Sequence, residues 1–259
     1  MNDTIILKKI GNVAKITLNR PKVYNSFNRE MALALQNALD DCREDANVRA
    51  IYLTGEGKAF CAGQDLQEVS GENAIALTTI LSEHYNPIIE RLRSIEKPIV
   101  AAVNGVAAGA GANIALACDI VIASESASFI QAFSKIGLIP DSGGTFMLPR
   151  LIGWQRASAL MLLGEKVSAQ EAAAMGMIYK TFSVEEFPAE SWKIVETLSK
   201  MPTKGLGYTK RALNQSFSNN LQEQLALEDH LQTAAGNTDD YREGVNAFLE
   251  KRPPDFKGK

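Results

Sequence analysis

Five consecutive apolar residues, Ile99–Val103, lead directly into a segment of small residues over positions 104–113. A strand that is apolar on both faces is typical of a parallel sheet that helices cover on both sides. Small residues after such a strand allow a helix to pack closely against the sheet. The two segments therefore indicate an α/β fold, and a length of 259 residues with 46% hydrophobic content is sufficient for a large core.

The first half of the chain alternates strand-like and helix-like patterns. The Gly11-Asn12 pair predicts a tight turn between two strands, and Asn28 is a suitable N-cap for an amphipathic helix. This alternation predicts the α/β class. The predicted elements, in chain order, are strands over residues 5–9, 13–18, 50–54 and 99–103 and helices over residues 29–42 and 76–95.

The pattern changes to helices from residue 154 onward. Ser168 and Ser183 are suitable N-caps in this part of the chain. A long helical stretch over residues 202–249 is interrupted near Ser218-Asn219 and near Gly236-Asn237.

No low-complexity linker separates the two halves. We therefore expect a core over residues 1–200 and a helical C-terminal region over residues 201–259. Because apolar helix faces must be buried, this region packs either on its own core or on another subunit. Homo-oligomerisation is thus one of two open expectations.

Composition and charge exclude several classes of protein. With 27 basic and 30 acidic side chains the net charge is −3, which leaves no basic surface for nucleic acid. Apolar stretches end well short of the roughly 20 residues that span a bilayer. The N-terminus lacks the basic and apolar regions of a signal peptide. We expect a cytoplasmic protein with no membrane or nucleic-acid partner.

The residue types that often bind metals give no sign of a site. Cys42, Cys61 and Cys118 are scattered without C-x-x-C spacing, so we expect neither a disulfide framework nor a zinc site. His84 and His230 lie in helix-like surroundings outside any catalytic motif, and both are interpreted as ordinary helix residues.

Three segments that contain glycine are candidates for a functional site: residues 58–66, 104–113 and 137–145. The second has no third glycine at dinucleotide spacing and no G-K-[ST] sequence, so neither standard nucleotide-binding device is expected. Its small residues either allow close packing or expose unpaired backbone N–H groups to a developing negative charge. Gly63 would let the turn over residues 62–64 supply a second such N–H.

In their order and spacing these segments resemble the crotonase superfamily of enoyl-CoA hydratases and isomerases. The run over residues 100–120 carries the family signature, with Asn104-Gly105, Gly109-Ala110-Gly111 and Ala117-Cys118-Asp119. Further matches are Asn19-Arg20-Pro21 with Asn25, Lys58-Ala59-Phe60, and Lys251-Arg252-Pro253 with Phe256. The resemblance implies a spiral of ββα units whose helical C-terminal region forms homotrimers or dimers of trimers. It also implies an acyl-CoA substrate, with no separate cofactor and no metal.

The resemblance assigns roles to individual residues. The backbone N–H groups of Gln64 and Ala110 are expected to form an oxyanion hole for the thioester carbonyl. The residues expected along the bound CoA are Ala62, Asp65 and Leu66 on the adenine and pantetheine path and Lys58 near the phosphates.

Two positions distinguish this chain from the hydratases of the family. Those hydratases carry two glutamates, because adding water to a double bond requires groups that activate water and deliver a proton. Asn113 and Phe133 stand at those positions here, and both are expected to contact substrate rather than to transfer protons. The sequence therefore speaks against hydration.

Asp141 is the candidate acid and base. Considered alone, an aspartate before Gly143-Gly144 is at least as typical of a turn or a helix cap as of a catalytic group. Within the resemblance, its apolar neighbours Ile136 and Leu138 are expected to raise the carboxyl pKa and to suit it for moving a proton between two carbons.

These features predict an isomerase. The segments over residues 132–141 and 240–245 resemble family isomerases that convert ring-epoxide thioesters to oxepin-CoA and Δ3-enoyl-CoA to Δ2-enoyl-CoA. The alternatives are an enoyl-CoA hydratase of fatty-acid β-oxidation and a non-catalytic member that binds acyl-CoA or RNA. A dehalogenase is not expected, because Asn86 and Phe133 occupy the places of its histidine and tryptophan.

Overall fold

The computed structural model describes residues 4–71 and 74–259. The first three residues, on which the expected absence of a signal peptide partly rests, lie outside that range. The strands are, in chain order, β1 (Ile5–Ile10), β2 (Val13–Leu18), β3 (Ala50–Gly55), β4 (Ala59–Cys61), β5 (Ile99–Val103), β6 (Val106–Ala108), β7 (Ile120–Ser124), β8 (Ser128–Ile130), β9 (Lys166–Ser168) and β10 (Lys180–Phe182). The helices are α1 (Arg29–Glu44), α2 (Leu77–Thr79), α3 (Asn86–Ser94), α4 (Ala110–Leu116), α5 (Gly144–Ile152), α6 (Trp154–Leu163), α7 (Ala169–Ala174), α8 (Phe187–Lys200), α9 (Thr203–Gln215), α10 (Leu221–Gly236) and α11 (Asp239–Glu250).

The described strands form two sheets, and successive strands from β3 to β8 alternate between them. The six-stranded sheet has the order β1-β2-β3-β5-β7-β10, and the four-stranded sheet has the order β4-β6-β8-β9. Each of β3, β5 and β7 is followed by a strand of the second sheet and then by helices. The class is therefore α/β, and the repeat is the expected ββα unit.

The central strand β5 is fully buried between β3 and β7, as its sequence predicts. All its neighbours in the six-stranded sheet are parallel to it. On one face of this sheet α8 contributes Phe187 and Val195, which pack with Tyr52 and Val100. The helices α1 and α3 contribute to a larger core cluster. Both faces are thus covered, as a buried parallel sheet requires.

Some local features differ from the sequence predictions. The predicted helix over residues 76–95 is helical, but a π-helical turn, Ile80–Tyr85, joins α2 to α3. The strands β4, β6, β7, β8, β9 and β10 are not predicted; apart from β7, each has three residues, too few for a measurable periodicity. Asn28 and Ser168 cap helices as expected, whereas Ser183 accepts the N–H of Glu186 in the turn before α8.

The C-terminal helices α9, α10 and α11 are separated at the two predicted interruptions. Arg49 ties this region to the core. Its guanidinium donates to the carbonyl of Met201 at 2.6 Å, the carbonyl of Phe256 at 2.8 Å and the hydroxyl of Thr203 at 2.9 Å. The end of the chain is therefore fastened to the start of β3.

The three cysteines are buried and unbonded to one another. Burial raises the pKa of each thiol to about 12, so the thiols are packing groups rather than nucleophiles. His84 is buried within the π-helical turn, and burial lowers its pKa. None of the helices in the two described ranges is long and apolar enough to cross a membrane.

Candidate active site

A cavity of about 600 Å³ lies at the ends of β4 and β6, beside the π-helical turn and the segment that leads into α5. Its apolar wall consists of Leu66, Val69, Leu77, Ile80, Leu81, Ile136, Leu138, Ile139 and Pro140, among others. Of the described residues that line it, Asp141 is the one carboxylate and Lys135 the one amine. Six predicted site residues meet here: Ala62, Gln64, Leu66, Ala110, Phe133 and Asp141.

The two glycine turns meet because β4 and β6 are parallel neighbours, which places their carboxyl ends at one edge of the sheet. The turn after β4 contains Gly63, whose φ is +95°, and the turn after β6 leads to Ala110. A methyl group at Gly63 would lie 3.0 Å from the carbonyl oxygen of Ala108 and 3.6 Å from the backbone nitrogen of Ala110. The turns are thus in contact, as an oxyanion hole requires.

The backbone around Gln64 directs its N–H away from Phe27. Phe27 donates its N–H to the carbonyl of Gly63 at 2.7 Å, and the N–H of Asp65 donates to the carbonyl of Phe27 at 2.8 Å. Successive N–H groups of an extended segment point to opposite sides. The N–H of Gln64 therefore points to the side opposite Phe27, and Gln64 lines the cavity.

The second expected donor is the backbone N–H of Ala110, the first residue of α4. The first N–H groups of a helix have no acceptor within it. Gly109 precedes it with a φ of +53° and donates its own N–H to the carbonyl of Ile130 at 2.9 Å. A residue with a Cβ adopts this φ at a cost, so glycine at this position favours the observed turn.

The side chain of Gln64 is held from two directions. The buried hydroxyl of Tyr85 donates to its Oε1 at 2.8 Å, and its Nε2 donates to Glu68 at 3.1 Å. Glu68 in turn accepts the N–H of Arg29 at the start of α1. No sequence motif pointed to Tyr85 or Glu68. The π-helical turn that carries Tyr85, a frequent feature of functional sites, becomes visible only in the structure.

Asp141 lies on the cavity wall between Pro140 and Ser142. Burial raises the pKa of its carboxyl group, and a hydrogen bond of 2.8 Å from the hydroxyl of Ser142 partly opposes that rise. Ser142 has a φ of +52°, a left-handed conformation that non-glycine residues rarely adopt. The carboxylate therefore sits on a sharply bent loop, in surroundings that favour proton uptake at a higher pH than usual.

Asn113 lies behind the cavity wall rather than on it. Its side chain is 1% exposed and donates from Nδ2 to the backbone carbonyl of Asp141 at 2.8 Å. Its Oδ1 accepts a hydrogen bond of 2.8 Å from Nε2 of Gln131. Phe133, in contrast, lines the cavity as expected.

Lys58 and Asp65 also lie away from the cavity lining. Lys58 is exposed in the turn between β3 and β4, and its expected place near CoA phosphates stays a prediction. Asp65 forms an ion pair of 2.9 Å with Arg20 and accepts the N–H of Gln67. These contacts give Asp65 a structural role beside the turn that contains Gln64.

Comparison with known proteins identifies relatives of this chain. Residues 8–259 match the family model for enoyl-CoA hydratase/isomerase. The chain is 48% identical over 250 residues to the 1,2-epoxyphenylacetyl-CoA isomerase of Escherichia coli K12, with 95% of each chain covered. It is also 48% identical over 247 residues, again with 95% of each chain covered, to a Rhodobacter capsulatus protein named "Probable enoyl-CoA hydratase".

Solved structures also include relatives with a very similar fold. The enoyl-CoA hydratase from Bacillus anthracis matches with a TM-score of 0.92 and 35% identity, over 99% of this chain and 100% of that chain. This match confirms the fold that the resemblance implied. The chain is an enzyme and belongs to the enoyl-CoA hydratase/isomerase family of the crotonase superfamily.

Proposed function

We propose that this enzyme isomerises acyl-CoA thioesters with a single carboxylate, Asp141, and an oxyanion hole. The proposal rests on the groups that line the cavity. The N–H groups of Gln64 and Ala110 lie in adjoining turns, and Asp141 is the one carboxylate among the described lining residues. One base that moves a proton between two carbons needs no second acid.

The reaction on a Δ3-enoyl thioester follows from these groups. The thioester oxygen accepts hydrogen bonds from the N–H groups of Gln64 and Ala110, which stabilises the negative charge of an enolate. Asp141 takes the proton from C2, and the electron pair enters the conjugated dienolate. The same carboxyl group returns the proton to C4, which forms the Δ2 double bond and regenerates the carboxylate.

A ring-epoxide thioester is the proposed specific substrate. The support is the 48% identity to the Escherichia coli 1,2-epoxyphenylacetyl-CoA isomerase and the apolar wall of the cavity, which suits a ring. We assign the chain the conversion of 2-(1,2-epoxy-1,2-dihydrophenyl)acetyl-CoA to oxepin-CoA, with Δ3-enoyl thioesters as additional substrates.

The rival function is hydration of enoyl-CoA. The equally similar Rhodobacter capsulatus relative bears a hydratase name. Water addition is less well supported here, because Asn113 stands behind the wall as a neutral amide and Phe133 cannot transfer a proton. Asp141 alone would have to activate the water and deliver the proton.

We further propose that the enzyme is a homotrimer or a dimer of trimers, with residues 201–259 as the trimerisation region. The C-terminal helix α11 exposes Phe248 by 82% and Leu249 by 72%. Large exposed apolar side chains on one helix are typical of a buried interface in an assembly. Light scattering on the purified protein gives the mass directly, and a monomeric mass contradicts this part of the proposal.

The test of the function compares three substrates on the wild-type enzyme. The account expects conversion of the ring-epoxide thioester and of a cis-Δ3-enoyl-CoA, followed by ultraviolet absorbance of the conjugated thioester, with slow hydration of crotonyl-CoA. Hydration that is faster than both isomerisations favours the hydratase. Binding of CoA thioesters with no turnover of any of the three favours a non-catalytic member.

A further inference from the structure

The buried amides of Asn113 and Gln131 form a directed chain of hydrogen bonds that ends at Asp141. The side chains are 1% and 2% exposed, respectively. Nε2 of Gln131 donates to Oδ1 of Asn113 at 2.8 Å, and Nδ2 of Asn113 donates to the backbone carbonyl of Asp141 at 2.8 Å. These two hydrogen bonds join the end of β8 and the helix α4 to the loop that carries the carboxylate.

The direction of this chain is fixed by chemistry. A backbone carbonyl only accepts hydrogen bonds, so the group of Asn113 that faces Asp141 must be its NH₂. The opposite edge of Asn113 is then an oxygen, and Gln131 must present its own NH₂ to that oxygen. Each amide thus has one orientation that satisfies the contact.

The loop that receives this hydrogen bond is strongly bent. Ser142 and Gly143 follow Asp141 with φ values of +52° and +73°. The carbonyl of Asp141 also accepts the N–H of Gly144 at 2.8 Å. The carbonyl oxygen is therefore held by two donors, one from the loop and one from α4.

The contact between Asn113 and the loop is very close. A methyl group at Gly144 would lie 2.3 Å from Nδ2 of Asn113, a distance at which atoms overlap. Because the loop rests directly on the amide of Asn113, the position of that amide sets the position of the backbone of Asp141. The direction of the Cα–Cβ bond, and with it the reach of the carboxylate, follows from the backbone.

We propose that Asn113, oriented by Gln131, is a positioning residue that holds the Asp141 carboxylate in line with the carbons between which it moves a proton. This inference rests on the proposed isomerase function and adds a role for the amide pair. In this enzyme a residue at a position that family hydratases use for proton transfer instead fixes the base on another segment.

The kinetic test replaces Asn113 with Ala and with Asp, which is similar in size but lacks the NH₂ group. A shift of about 1 Å in a catalytic group lowers the rate by up to about 10²-fold. We expect both variants to lower kcat for a cis-Δ3-enoyl-CoA by about 10-fold to 10²-fold, with little change in KM. Gln131→Ala is expected to lower kcat less, and its effect and that of Asn113→Ala are expected to be non-additive.

The double variant with Asp141→Asn separates positioning from a general structural role. If Asn113 acts through Asp141, Asn113→Ala does not slow the residual reaction of Asp141→Asn further. If it slows that reaction by the same factor as in the wild type, the two residues act independently and the proposal is wrong. Wild-type kcat in a folded Asn113→Ala variant contradicts it equally.

Amide hydrogen exchange tests, without any turnover, whether Asn113 holds the loop that carries Asp141. The N–H of Gly144 is expected to exchange faster in Asn113→Ala than in the wild type. Asn25→Ala is the matched control, because Asn25 is a fully buried amide that donates to the carbonyls of Glu56 and Ala59. It is expected to destabilise the fold while leaving the exchange of Gly144 relative to global unfolding unchanged.

These measurements keep the two proposals apart. A wild-type enzyme that turns over no thioester contradicts the proposed function, and the exchange of Gly144 then decides the positioning role by itself. Unchanged exchange of Gly144 in Asn113→Ala shows that Asn113 does not hold the loop.

Discussion

The hydroxyl of Tyr85 donates a hydrogen bond of 2.8 Å to Oε1 of Gln64, the residue whose backbone N–H is one of the two proposed oxyanion donors. Tyr85 is buried, and burial holds the pKa of its hydroxyl well above the usual value. The hydroxyl thus remains a neutral donor over the working pH range. Tyr85, at the end of the π-helical turn, thereby holds the side chain of Gln64 in the glycine turn after β4.

Tyr85→Phe removes this brace and leaves the shape of the ring in place. Loss of one hydrogen bond costs about 1 kcal/mol, which corresponds to a roughly fivefold lower kcat if the oxyanion hole depends on it. Tyr52→Phe is the matched control, because Tyr52 makes an equally short buried bond to Ser191 away from the cavity. Steady-state kinetics check this, and an equal loss of kcat in both variants contradicts the bracing role.

Gly63→Ala introduces a methyl group at a φ of +95°, only 3.0 Å from the carbonyl oxygen of Ala108. We expect the turn to shift and kcat to fall by about 10²-fold to 10³-fold, the usual effect of losing an oxyanion donor. Gly11→Ala, at a φ of +56° with nothing within 4 Å, carries a backbone cost without the collision. It is expected to lower thermal stability while kcat stays at the wild-type value. Normal turnover by Gly63→Ala would show that the turn plays no part in catalysis.

The raised pKa of Asp141 predicts a gain of stability when its charge is removed. Since the folded state binds this proton more tightly than the unfolded state, stability falls as the pH rises from the ordinary carboxyl range through the raised pKa. That part of the stability is missing at pH 7. Asp141→Asn is therefore expected to unfold at a higher urea concentration than wild type at pH 7.

The same difference is expected to shrink when the urea titration is repeated below the ordinary carboxyl range, where Asp141 is protonated in both states. Asp65→Asn is a useful contrast, because it removes the partner of Arg20 and is expected to destabilise the protein. A urea midpoint for Asp141→Asn below that of wild type at pH 7 speaks against a desolvated carboxylate.

Ser142→Gly is expected to shift the pH dependence of catalysis. The hydroxyl of Ser142 donates to Asp141 and lowers its pKa, so removing it raises that pKa further. Because the base must be ionised, kcat/KM is expected to begin falling at a higher pH than in the wild type as the solution becomes more acidic. A full pH profile measures this shift directly.

Ser142→Ala is the second variant to measure, beside Ser142→Gly, in the pH profile of kcat/KM. It removes the same hydroxyl but leaves a Cβ at a φ of +52°, whereas glycine adopts this φ freely. Both variants are expected to show the same shift in the pH profile, while Ser142→Ala is less stable than Ser142→Gly by roughly 1–2 kcal/mol. Profiles that coincide with the wild type show that the hydroxyl does not act on the base.

The sequence predicted those parts of the fold that depend on local patterns. The apolar run Ile99–Val103 identified the buried central strand, and Asn28 marked the start of α1 correctly. The strands β4, β6, β7, β8, β9 and β10 were missed. The edge strands β9 and β10, for example, are three residues long and depend on pairing with β8 and β7. The π-helical turn also escaped notice, because its spacing of apolar residues resembles that of an α-helix.

The order of motifs along the chain predicted many residues of the site, but not how they contact one another in space. Parallel pairing of β4 with β6 brings the turns at Gly63 and Ala110 together, and only the structure shows that pairing. Asn113 was expected to contact substrate, yet the structure places it behind the wall, in contact with Asp141. A contact between residues 28 positions apart leaves no local pattern from which it could have been found.

The central claim is that Asp141 alone moves the proton. The most direct measurement is the rate at which Asp141→Asn converts a cis-Δ3-enoyl-CoA to the conjugated isomer, with the folded state verified by circular dichroism. The account expects a loss of about 10²-fold to 10⁴-fold in kcat relative to wild type, the range typical of removing a general base. A variant that isomerises at the wild-type rate would contradict the account.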